Sequence, residues 1–282
     1  MLVDQHYENF PVASLLVPPE MRGHIAAIYR FARYADDIAD EGDASSSERL
    51  ATLALISSEL SSLWQGQPVV TPAVAGLARL VAAKFPGVTE SLFQDLLSAF
   101  TQDITKHRYE SLAELLDYSR RSANPVGRLV LALARVQTPS ALAQSDAICS
   151  ALQLINFWQD AGVDASRGRI YAPQATFVCC GTSEIGFPTH LAHAEVVRKL
   201  CDYTHDLLFS GIPLLTALSG RLRWEIAFTI AGGQRILEKI AANDFDVTLR
   251  PTLRWYDSPR LLFLAISAVR RSKRAVSTAR TT

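Results

Sequence analysis

The chain has 282 residues, of which 49% are hydrophobic and 20% charged, so a disordered chain is excluded and a large core can be buried. Its 28 Lys and Arg balance its 28 Asp and Glu, and no overall field draws it to nucleic acid. Four cysteines, Cys149, Cys179, Cys180 and Cys201, form no Cys-x-x-Cys pair; neither a zinc ribbon nor a disulfide scaffold is indicated, and a reducing cytoplasm is predicted.

Apolar residues recur at three- and four-residue spacing, and period-two segments are lacking, which predicts an all-α chain folded as a single domain over residues 1–282. The first ten residues, MLVDQHYENF, do not read as a secretory signal, and no apolar run reaches the ~18–20 residues of a membrane span. Pro18-Pro19-Glu20 suits the first turn of a helix running to about Glu41, and Ser45-Ser46-Ser47 marks the next N-cap. Further helices are predicted over about 48–64, 72–84, 89–104, 111–135, 140–164, 190–218, 221–242 and 258–270, with 165–189 the longest irregular stretch. Pro125 reads as a kink in its helix, Gly127 as a close-packing residue, and His107 as exposed. From Arg270 onward come Arg271, Lys273, Arg274 and Arg280 and no acidic residue. That basic tail reads as a solvated, frayed terminus, with anionic lipid headgroups as the alternative partner.

Two polar stripes interrupt otherwise apolar helices. Tyr29, Arg33, Asp36 and Asp40 fall within an arc of about 60° on the first helix. Gln153, Asn156, Asp160 and Asp164 fall within about 80° on a helix otherwise lined by residues such as Leu152, Leu154, Ile155, Phe157 and Trp158. An isolated acidic run is more often a solvated face, and a single Asp-x-x-x-Asp pair on a core helix reads equally as a salt-bridged structural feature. Two pairs on separate helices are harder to read that way, because buried carboxylates need partners and hard cations such as Mg²⁺ supply them together with phosphate oxygens. Arg167 and Arg169 follow the second stripe, where guanidiniums bind phosphate oxygens bidentately.

The segments YRFARYADDIADEGD at 29–43 and QLINFWQDAGVDASRGRIYAP at 153–173 resemble the motifs of the squalene/phytoene synthase family of head-to-head prenyl synthases. The resemblance extends through LLDYSRRSANPVGRLVL at 115–131 and QRILEKIAANDFDV at 234–247. Within the family, HYENFPVAS at 6–14, QDITKHRY at 102–109 and SANPVGR at 122–128 are most like the hydroxysqualene-forming members of the bacterial hopanoid pathway.

The resemblance implies an isoprenoid-synthase bundle around a central apolar cavity. Asp36 and Asp40 would form one Mg²⁺ cluster, and Asn156, Asp160 and Asp164 the other, with several ions bridging the diphosphate. Tyr118 would stand at the cavity mouth among the catalytic residues Asp36, Asp40, Asp160 and Asp164. His6, Tyr29, Arg33, Gln153, Asn156, Arg169, Tyr171 and Arg250 would contact substrate. The implied reaction is ionisation of presqualene diphosphate, rearrangement of the cyclopropylcarbinyl cation and capture by water. The implied partners are a presqualene diphosphate synthase before it and a reductase after it. Asn124 would either cap backbone freed by Pro125 or sit near a cationic carbon.

Two departures set the chain apart from the farnesyl-coupling pattern. Asn9 stands where many relatives carry serine, and Ser122-Ala123-Asn124-Pro125-Val126-Gly127 where many carry Val-Ala-Gly-x-Val-Gly. No Gly-x-Gly-x-x-Gly segment is present, so no nicotinamide cofactor is predicted. The rival readings are condensation of two prenyl diphosphates to squalene, presqualene diphosphate or phytoene, and, from another class, a non-catalytic helical binding protein.

Overall fold

A computed structural model describes residues 16–189 and 192–279, with side chains through 274. Among these residues the elements are helices and turns, with no strand. Helix α1 (Pro19–Asp40) starts on a proline, whose missing N–H would have no partner in a first turn anyway. It ends where Arg49 reaches back: Nη1 donates to the carbonyls of Ile38 at 2.9 Å and Ala39 at 2.8 Å. These are carbonyls of the last turn, which no N–H within the helix can satisfy. Helix α2 (Ser46–Trp64) opens with a capping box between Ser45 and Glu48. The predicted helix over 72–84 is two short pieces, α3 (Pro72–Ala75) and α4 (Ala78–Ala82), and α5 (Glu90–Asp103) turns Phe93, Leu96, Leu97 and Phe100 inward.

The predicted helix over 111–135 is broken rather than kinked. Helix α6 (Leu112–Ser122) stops at Ala123, and α7 (Asn124–Leu133) begins with Pro125 in its first turn. Pro125 has no N–H with which to continue the ladder, so it starts a helix instead of bending one. Asn124 is buried, and its Oδ1 accepts a 2.9 Å hydrogen bond from Ser150 Oγ, so it ties α7 to the next helix rather than capping freed backbone.

That next helix, α8 (Pro139–Gln159), is buried on nearly every side by α6, α7, α11 (His193–Ser210) and α13 (Gly220–Ala242). Its all-round apolar surface requires such a position. Close approach of α7 depends on Gly127, where a Cβ would lie 2.5 Å from both Cys149 Sγ and Ser145 Oγ.

Further on, the segment predicted as helix 140–164 turns at Asp160 into α9 (Ala161–Ser166), and the stretch predicted as irregular contains α10 (Gln174–Cys179). The predicted helix 190–218 divides into α11 and α12 (Leu214–Ala217), with Gly211 and Pro213 at the break. A 3-10 turn, Trp255–Asp257, leads into α14 (Ser258–Ala279), which outruns its predicted end at 270. Arg270, Arg271, Lys273 and Arg274 therefore stand on a helix and not on a frayed tail.

Candidate active site

Helices α1, α5, α6, α7 and α8 enclose a cavity of about 420 Å³. Its apolar wall includes Ile25, Ile28, Phe100, Val126, Val130 and Leu152, and its polar rim holds Tyr29, Arg33, Asp36, Gln153, Asn156, Asp160 and Arg250. Both sequence stripes thus meet at one opening. Asp40, Asp164, Arg169 and Tyr171 stand beside that rim without lining the cavity, and His6 lies outside the described residues.

The first stripe is assembled within a single helix. Arg33 pairs with Asp36 at 3.3 Å, Asp37 at 2.7 Å and Glu41 at 2.9 Å, all reachable at helical spacing or just past the last turn. The second stripe is likewise continuous along α8 and α9, and the arginines that meet the two stripes from outside come from distant segments. Backbone bonds from Ile170 N to His107 O (3.0 Å) and Gln174 N to Tyr109 O (2.9 Å) pin the segment after α9 beside residues 107–110. This carries Arg169 across the rim, where its two terminal nitrogens donate to Asp40 at 2.7 and 3.2 Å.

Arg250 is delivered by a separate device. Gln159 Nε2 donates to Pro251 O at 2.7 Å, and Gly162 lets α9 press on the chain just before Arg250. A Cβ at Gly162 would lie 2.8 Å from Thr248 O and 3.0 Å from Val247 O. So held, Arg250 binds both carboxylate oxygens of Asp160. Burial, and then the neighbouring Asp160 charge, push the Asp164 carboxyl up to about 6.

Tyr118 lines the cavity, but its hydroxyl is committed: it donates to Asp103 Oδ2 at 2.7 Å. Burial pushes its pKa well above the ordinary phenol range, so it stays neutral. Asp103 is buried and was missed in the sequence; burial pushes it up to about 7 against the Tyr118 hydrogen bond, with Asp40 adding to the rise. The signal was a lone carboxylate on the apolar face of α5, which spacing alone does not separate from a helix-end acid. Behind Tyr118, the Tyr171 ring stacks on Phe157 at 3.8 Å and 10°. Tyr171 is therefore part of an aromatic support, with Tyr109 on its far side at 5.8 Å. Gly162 was missed as well, because nothing in sequence reveals which backbone it faces.

The donor set suits Mg²⁺. Asp36, Asp40, Asn156, Asp160 and Asp164 offer oxygen ligands, split over α1 and the α8–α9 segment. Among the described residues no three His, Cys, Asp or Glu side chains are placed to hold a metal ion by themselves. A divided, carboxylate-rich rim fits an ion that keeps waters and takes one or two carboxylates plus substrate phosphates.

The model of the squalene/phytoene synthase family matches residues 3–257 of the chain. The chain is 41% identical over 244 residues to the hydroxysqualene synthase of Zymomonas mobilis, the match covering 84% of this chain and 80% of the relative. It is 36% identical over 242 residues to the hydroxysqualene synthase of Sinorhizobium fredii, with the same coverage of 84% and 80%. Among solved structures it is similar to the squalene synthase HpnC from Alicyclobacillus acidocaldarius, with a TM-score of 0.78 at 32% identity over 86% of this chain and 90% of that one.

Proposed function

The chain belongs to the squalene/phytoene synthase family, and we propose that it converts presqualene diphosphate and water into hydroxysqualene and diphosphate. The observation that carries this choice of reaction is the likeness to hydroxysqualene synthases across 84% of the chain. The fold is the all-α isoprenoid-synthase bundle, and the activity is that of an isoprenoid diphosphate-utilising synthase.

In this reading Asp36, Asp40, Asn156, Asp160 and Asp164 hold Mg²⁺, which when bound offsets the charge of the diphosphate and makes it a better leaving group. Arg33, Arg169 and Arg250 supply guanidiniums to the diphosphate oxygens, with Tyr29 and Gln153 beside them on the rim and His6 as a further contact. Cleavage of the C–O bond leaves the carbocation against Ile25, Ile28, Phe100, Val126 and Leu152, which carry no nucleophile to quench it early. The neutral Tyr118 ring, held by Asp103 and backed by Phe157 and Tyr171, is a stiff part of the same wall. No reductant is consumed. Incubating the protein and Mg²⁺ with presqualene diphosphate, without nicotinamide, is expected to yield hydroxysqualene by gas chromatography and mass spectrometry. Presqualene diphosphate formed from farnesyl diphosphate would move the assignment to the condensing enzymes.

The substrate must come from a reaction that joins two farnesyl units, and the alcohol must pass to a reaction that removes its oxygen. Both are lipids, and we propose that the protein touches an anionic membrane surface while they change hands. No described helix is long and apolar enough to cross a membrane. Support for surface contact comes from exposed Trp255, Leu262 and Phe263, which share the segment from 254 to 274 with six exposed basic residues, while its single acid, Asp257, is buried. Co-sedimentation with phosphatidylglycerol vesicles is expected for the native chain and lost in Trp255→Ser/Phe263→Ser; equal sedimentation of both would rule this surface out.

A further inference from the structure

Asp40 is the last residue of α1, and the turn it closes is poorly suited to a helix end. Asp36, Asp37, Asp40, Glu41 and Asp43 crowd this end, and the last turn contains no basic residue. A helix C-terminus carries unpaired carbonyls and partial negative charge, so cations there are favourable and carboxylates are not. Left alone, such a turn frays, and Asp40 would lose the helical register that sets it on one face with Asp36.

The missing cation comes from α2. Arg49, near the start of that helix, is half-buried and lies outside the cavity lining. Its Nη1 donates to Ile38 O at 2.9 Å and Ala39 O at 2.8 Å, its Nη2 to Gly42 O at 2.6 Å and its Nε to Ala44 O at 2.9 Å. Two of these carbonyls precede Asp40 and two follow it, so the backbone is held on both sides. Gly42, at φ +81°, makes the turn that brings the second pair round to the same guanidinium. All of these bonds go to backbone, although the acids of this corner stand close by in sequence.

We infer that Arg49 is a positioning residue for Mg²⁺: by fixing the end of α1 it holds the Asp40 carboxylate where, with Asp36, it takes the ion. The inference rests on the Mg²⁺ site of the proposed reaction. Arg49 acts through the backbone that carries a ligand, and removing groups that orient metal ligands weakens metal binding by about 10–100-fold.

The test is equilibrium dialysis of ³²P-labelled pyrophosphate against the full chain over a range of Mg²⁺ concentrations, for native protein, Arg49→Met, Arg49→Lys and Ser45→Ala. The Mg²⁺ concentration for half-maximal pyrophosphate retention is expected to rise about tenfold in Arg49→Met. Arg49→Lys keeps the charge but not the planar fork that spans these carbonyls, and a rise of at least about threefold is expected. Ser45→Ala removes the capping box with Glu48 at the same corner and leaves the α1 carbonyls paired. It is expected to lower the melting midpoint with an unchanged Mg²⁺ requirement. An unchanged or lower requirement in Arg49→Met overturns the positioning role, as does a rise in Ser45→Ala equal to that in Arg49→Met. Native protein that retains no pyrophosphate at any Mg²⁺ concentration overturns the Mg²⁺ site and the role with it. The expected shifts, in a native protein that makes no hydroxysqualene from presqualene diphosphate, support the role and overturn only the choice of reaction.

Discussion

Two acidic centres in this molecule use the same chemistry in opposite settings. At the cavity rim, Asp40 and Asp160 are 36% and 29% exposed and are paired to Arg169 and Arg250. Between α13 and α14, Asp257 is fully buried: Oδ1 accepts from Arg235 at 2.9 Å, and Oδ2 accepts from Lys239 at 2.7 Å and from Arg254 N at 2.8 Å. A carboxylate with both oxygens engaged by donors and no surface open to solvent has no room for a ligand. One at a solvent-open rim, held by a single long guanidinium, can exchange that partner at little cost, since exposed ion pairs contribute only ~0–1 kcal/mol. The difference separates a site for binding from a structural tie.

The largest expected effect comes from exchanging the two centres' roles in mutagenesis. Asp160→Asn is expected to lower hydroxysqualene turnover by about 10²–10³-fold, the scale of removing one preorganised electrostatic group, with a thermal midpoint within a few degrees of native. Unchanged turnover would sink the role given to Asp160. Asp257→Ala is expected to do the reverse, costing about 3 kcal/mol because Arg235 and Lys239 are left uncompensated, and lowering the melting midpoint by roughly 6–10 °C while turnover per folded molecule is retained.

Acid sharpens the second half of the comparison. Burial opposes ionisation of Asp257, but the hydrogen bonds from Lys239, Arg254 N and Arg235 outweigh it and hold its carboxyl down to about 2. Its stabilisation is thus fully present above pH ~4, the ordinary aspartate range, and fades as the pH falls toward 2. The gap in midpoint between native and Asp257→Ala is expected to narrow over that window; a constant gap would show that the carboxylate charge is not what Ala removes. The smallest effect is expected from Gly162→Ala. The added Cβ must displace the backbone at Val247 and Thr248, at a cost of about 1–3 kcal/mol, and draw Arg250 from Asp160. The expected readout is a rise in KM of several fold with kcat nearly unchanged; a native KM would show that Arg250 reaches the rim without this contact.

Much of the bundle was legible before any coordinates, for a local reason. Helix α8 carries apolar residues on all sides, which only a central position can bury, and Pro19 at a first helical position and Ser45 in a capping box each start a helix through local chemistry. The rim stripes were legible because residues three, four and seven apart share a helix face whatever surrounds them. The helix breaks were not all legible: Pro125 was visible, yet whether it bends one helix or begins another depends on the packing of α7 against α8 through Gly127 and Asn124.

What the sequence determined by itself was therefore the helical pattern, the core helix and the two acidic stripes, since these follow from spacing along one chain direction. What the tertiary structure decided was the wiring. Arg169 meets Asp40 across 129 residues and Arg250 meets Asp160 across 90, while Asp103 sits under Tyr118. These depend on where loops cross and on how closely backbones approach, and neither distance is written in a periodicity.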